Sequence, residues 1–140
     1  AGLVAITPAS GFVGPISSFF IGIGAGILCY FAVLVKGLLR YDDSFDVVGV
    51  HGVGGVWGAI STGLFASQAI NPAASDGLFF GNPGQLWTQI LAIVVTMVFS
   101  FVISFLILLA LRAILGLRVT DEAEDAGIDT SCHGEAGYTM

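Results

Sequence analysis

Three stretches of the chain are almost free of charge. Ala1 to Val35 has no charged side chain, Gly77 to Leu111 has none, and Val47 to Ser75 has one titratable group, His51. About 20 apolar residues let a helix cross the hydrocarbon core of a bilayer, and each run is long enough. The pattern predicts three transmembrane helices, Ile16–Leu38, Val47–Ala66 and Leu86–Ile114. Segment 39–46 and segment 67–85 connect them, the second rich in turn formers ("INPAASDG", "GNPG"). The opening "AGLVAITPAS" reads as the end of an earlier apolar helix stopped by Pro8, so residues 1–15 are expected to be the end of a preceding span and a loop. With no starting Met, basic n-region or signal-peptide pattern, the chain is expected to begin inside a larger protein. The fold class is all-α: a polytopic transmembrane helix bundle.

Composition strengthens this reading. Apolar residues make up 56% of the 140 and charged residues 10%, against about 25% charged in soluble domains. The four Lys and Arg form no patch, which argues against nucleic acid. Lys36 and Arg40 follow the first span, Arg112 and Arg118 the third, and segment 67–85 has neither residue type. The positive-inside rule puts segment 39–46 and the C-terminus in the cytoplasm and segment 67–85 outside. Phe79, Phe80 and Trp87 then fall at the outer interface, where aromatic rings are favoured. Residues 115–140 form an acidic cytoplasmic tail, with six acids and one arginine from Arg118 onward. That tail is too short for a core of its own and is ordered only when docked. Cys29 and Cys132 have no metal-ligand or disulfide spacing, so neither a metal nor a cofactor is expected.

The spans differ in character. Gly22, Gly24, Ala25 and Gly26 give the first a small-residue surface for close helix approach, whereas the bulky third reads as an outer, lipid-facing helix. The second holds the chemistry. On an α-helical wheel, Gly54, Gly55, Gly58 and Thr62 fall within about 60° of His51, and Val47 lies on the same face. The imidazole therefore looks onto a face stripped of side chains, where either another helix packs tightly or a narrow passage runs. Asp46 falls on the other side and is placed as the helix N-cap, with Asp42 and Asp43 solvated or capping.

A histidine in a span can serve as interhelical glue, worth only about 0.6 kcal/mol. More often an intramembrane ionisable group faces a bundle interior or a water-filled cavity. Desolvation keeps such a ring neutral, with one donor and one acceptor nitrogen. That suits a small molecule able to donate and accept, not a bare metal cation wanting several oxygens. No nucleophile–base pair or phosphate loop is visible, so the protein reads as no enzyme.

The stretch "DDSFDVVGVHGVGGVWGAISTGLFA" resembles the signature of the ammonium transporter (Amt) family, and "AGLVAITPASGFVGP" and "GLRVTDEAEDAGID…HGEAGY" match its pattern too. The resemblance covers essentially the whole chain. It implies the last three of eleven membrane helices of a channel fold. It makes His51 the second of two facing pore histidines, Val47 a residue near the cytoplasmic pore exit, and Thr7 a pore-proximal threonine. It further implies a homotrimer, a pore completed by the preceding N-terminal helices, and a tail that contacts neighbouring subunits and a PII-type signalling protein. The implied function is conduction of ammonia after deprotonation of ammonium in the plasma or inner membrane. The alternative is an ammonium-sensing module signalling through the tail.

Overall fold

A computed structural model describes residues 1–137. The final Tyr of the "HGEAGY" match, with Thr139 and Met140, lies outside the described residues. The elements in order are helix α1 (Gly2–Ile6), a 3-10 turn (Thr7–Ala9), α2 (Pro15–Leu39), a π turn (Val48–Gly52) running directly into α3 (Val53–Phe65), a 3-10 turn (Leu78–Phe80), α4 (Pro83–Ile114), α5 (Asp121–Ala126) and a second π turn (Asp129–His133). Among the described residues three helices are long and apolar enough to cross a membrane: Pro15–Leu39, Val48–Phe65 and Pro83–Ile114. The chain divides into two compact units, Ala1–Met97 and the remainder from Val98.

The first unit is built on close approach. α1, α2 and α3 share a small core of Ala5, Ala9, Ile21 and Ala25, edged by Ile6, Val13, Trp57 and Phe65. Gly58 of α3 lies so near α1 that a Cβ there would collide with the Ala5 carbonyl. Trp57 covers Gly24 of α2: a Cβ on that glycine would stand 2.5 Å from the indole ring. The indole Nε1–H donates to the Ile21 carbonyl at 2.9 Å, so the one polar atom of the ring is satisfied inside an apolar layer. These contacts are van der Waals packing and hydrogen bonding, the forces that remain when lipid removes the hydrophobic drive between helices.

Proline opens two of the helices. Pro15 and Pro83 stand in the first turns of α2 and α4, where a missing N–H costs nothing. The α3–α4 connection is ordered by the Asp76 carboxylate, which accepts from the Gln68 N–H at 2.8 Å, and by the Gly77 N–H, which donates to the Ala66 carbonyl at 2.7 Å.

At the α2–α3 turn the structure corrects the assignment of Asp46 as N-cap. The capping carboxylate is that of Asp43, whose Oδ1 accepts from the Val47 N–H and Oδ2 from the Val48 N–H, both at 2.8 Å. Asp46 has a left-handed backbone (φ 55°), and its carboxylate pairs instead with the Lys36 ammonium. The physical reason is local. A cap must point back at the free N–H groups of the first turn, and the left-handed bend swings the Asp46 side chain towards the end of α2.

In the second unit the tail carries local structure of its own. Thr120 caps α5, accepting from the Ala123 N–H at 3.4 Å. Arg118 grips Glu124 with two short bonds, at 2.7 and 2.8 Å. Glu122 holds its own backbone N–H and the Thr120 hydroxyl, which keep its carboxyl below the usual glutamate range.

Two outcomes are expected. Gly58→Val in the full-length protein forces α1 and α3 apart and destabilises by about 1–3 kcal/mol or more, whereas Gly55→Val, with open space at its Cβ position, is far milder. Melting curves read by size-exclusion chromatography check this. In the tail, a depressed carboxyl stabilises the cap at neutral pH and that contribution is lost as pH falls through the depressed value. Carboxyl NMR of labelled protein should show Glu122 titrating below the ordinary glutamate value, and Thr120→Val should raise it.

Candidate functional site: the histidine clefts

His51 is the fourth residue of the π turn, and the Val53 N–H closes that turn on the Val48 carbonyl. A π turn binds i to i+5 and advances each residue through a smaller angle than an α turn. The angle of His51 to the glycines of α3 therefore differs from that of an unbroken α-helix, and those glycines themselves have different surroundings. Gly54 and Gly58 are buried: a Cβ on Gly54 would meet Cys29 Sγ at 3.2 Å and Val4 at 3.4 Å, and Gly58 abuts Ala5. Gly55 faces open space. Of the two geometries the sequence allowed, tight packing is present at Gly54 and Gly58, while Gly55 borders open space.

The imidazole borders two clefts. One, of about 320 Å³, lies between α3 and the first half of α4 and is lined by His51, Gly55, Val56, Gln89 and Ile93 among others. The other, of about 340 Å³, is lined by Leu3, Val4, Thr7, Pro8 and His51. Their walls are mostly aliphatic, and His51 is the one titratable group among the described residues lining either. Among the described residues no hydrogen bond reaches the ring.

Thr7 is brought beside His51 at the second cleft. Its hydroxyl donates to the Leu3 carbonyl at 2.7 Å, which uses its hydrogen and leaves an oxygen lone pair to accept. Thr62 is turned inward and donates to the Gly58 carbonyl at 2.9 Å. Val47 is 49% exposed at the start of the π turn and lines neither cleft; Val48 instead lines a neighbouring one with Gly52, Val56 and Met97. Sequence reasoning missed Gln89, Val56 and Ile93. The signal available for Gln89 was an amide side chain inside the apolar run of α4, one turn beyond Gln85. Among the described residues no cluster of His, Cys, Asp or Glu is arranged to hold a metal.

Apolar helices of spanning length, close-packed through glycine, with a lone intramembrane histidine at open clefts, define a multi-pass membrane protein built around a polar point in an apolar path. Residues 1–138 match the profile of the Ammonium Transporter Family, and the chain belongs to that family. The ammonium transporter of Bacillus subtilis is 49% identical over 139 residues, covering 99% of this chain and 34% of that protein. The ammonium transporter Amt1 of Archaeoglobus fulgidus is 41% identical over 139 residues, covering 99% and 35%. The crystal structure of Saccharomyces cerevisiae Mep2 superposes with a TM-score of 0.80 at 35% identity, covering 86% of this chain and 29% of that one. The chain thus spans about a third of the length of the relatives it matches. The family is one of transporters, not enzymes.

Proposed function

We propose that this chain forms the His51 side of an ammonium-conducting pore, and that the ring hydrogen-bonds the permeating species. The observation that carries the reading is the solitary imidazole, unbonded, between two clefts with aliphatic walls. Moving an ammonium ion into such surroundings costs several kcal/mol even after relaxation. A proton released to water at the entrance leaves neutral ammonia, which has three donors and one lone pair. A neutral imidazole offers the matching acceptor and donor, and the Thr7 lone pair adds a second acceptor. Potassium has no proton to lose, so the same path rejects it.

The rest of the transporter, corresponding to the two thirds of its relatives beyond this chain, closes the clefts into a lumen. Lys36, Arg40, Arg112 and Arg118 set the α2–α3 turn and the tail on the cytoplasmic side. Val47 then stands at the cytoplasmic mouth. The family resemblance extends the proposal to a homotrimer whose acidic tail meets a PII-type regulator.

The test is His51→Ala in the full-length protein, reconstituted in liposomes, with methylammonium or ammonia flux as readout. Flux should fall by roughly 10- to 100-fold, the loss expected when a positioned polar group is removed, while assembly stays intact. Gly55→Leu, which inserts a side chain beside the ring, should lower flux in the same way. Undiminished flux in His51→Ala with altered signalling would favour the sensing role.

A further inference from the structure

We propose that Lys36, Asp43 and Asp46 form a charged clip that sets the register of the π turn and so aims His51, making them positioning residues that never touch the permeant. The Lys36 ammonium donates to the Asp46 carboxylate and, at 3.0 Å, to the Asp43 carbonyl. The Asp43 carboxylate in turn takes the Val47 and Val48 N–H groups. The Asp46 N–H donates to the Asp43 carbonyl at 3.2 Å, and the Asp46 carbonyl accepts from the Val50 N–H at 2.8 Å. The Val47, Val48 and Val50 N–H groups are thereby committed, and the Val48 carbonyl bonds Val53, five residues on.

Two anchors hold the five-residue turn between them. Below it is the clip, whose ion-paired side chains are only 26% and 35% exposed. Above it are Gly54 against Cys29 and Val4, and Gly58 against Ala5. An isolated π turn is less favourable than α-helix and persists where its surroundings over-determine it. The glycine anchor cannot rotate without a backbone collision. If the clip is opened, the lower end is the part free to move. Relaxation to an α turn then shifts the segment by one residue, which turns His51 through about 100° relative to the fixed body of α3.

The effect on flux rests on the pore reading; the effect on the turn does not. The test uses Lys36→Met, Asp46→Gly and Lys36→Arg in the full-length protein. Asp46→Gly keeps the left-handed backbone available while removing the carboxylate, so it decides the matter if Lys36→Met fails to fold. Cryo-electron microscopy should show the Val53–Val48 bond replaced by an i to i+4 bond and the ring turned away from the Thr7 cleft in the Met and Gly variants. Lys36→Arg should keep the turn. The maximal methylammonium flux should fall by roughly 10- to 100-fold with half-saturation little changed, and Lys36→Arg should restore it. A π turn and ring that stay in place without the ion pair overturn the proposal, whatever the flux. A displaced ring with unchanged flux leaves the clip standing and counts against the pore role of His51.

Discussion

The meeting of Gly58 with the backbone of Ala5 is the contact on which the remaining geometry depends. In lipid, apolar side chains gain nothing by leaving one apolar medium for another, so helices hold together by touching closely. Gly58 lets α3 sit against α1, Gly54 extends the contact past Val4 to Cys29, and Trp57 fills the gap above Gly24 of α2. With these in place the rotation of α3 is fixed, and so is the direction in which anything preceding it must point. The cleft between α3 and α4 opens beside His51 where Gly52 and Gly55 line it.

Polar groups in this apolar setting sort into two kinds. Thr7, Trp57, Thr62 and Thr88 each donate to a backbone carbonyl, which removes the cost of an unmet donor in a dry layer. Lys36 at the end of α2 is neutralised by a carboxylate from the next element. His51 has no such bond within the described residues. The buried Ser61 hydroxyl likewise has no partner among the described residues, so what distinguishes His51 is its place at the two clefts.

Much of this was legible in the chain. Long charge-free runs marked the three spans, because the bilayer requirement is one of length and composition. The glycines around His51 marked a bare face for the same kind of reason, as their lack of a Cβ is a property of the residue. What escaped was everything set by a single change of backbone path. An α wheel treats Val47 to Thr62 as one helix, and the π turn breaks that assumption at the histidine, changing the angle of His51 to the glycines of α3. Asp46 looked like the cap because it is the last polar residue before the apolar run. Its left-handed φ, unpredictable from composition, gave that role to Asp43. Lys36 offered a clue that went unused: an ammonium closing a 25-residue apolar helix needs a nearby anion, and the next acids along the chain are in "YDDSFD".

The split between a rigid glycine anchor and a charged clip also suits the chemistry an imidazole has to perform. A carboxylate in the same place would hold a cation by charge from almost any direction and would release it slowly. A hydroxyl is free to rotate and is a weak base. An imidazole acts only in its own plane, with a donor at one edge and an acceptor at another. In the proposed pore its selectivity for a small hydrogen-bonding molecule would be a matter of orientation, and a rotation of one helical position would take both nitrogens out of the path. A ring on an unconstrained α-helix would depend on side-chain packing to keep that aim, and the bare glycine surroundings offer almost none. On the proposed reading, backbone constraint from both ends of the turn supplies it instead, which ties the polar turn between α2 and α3 to the site although no charged group among the described residues lines either cleft.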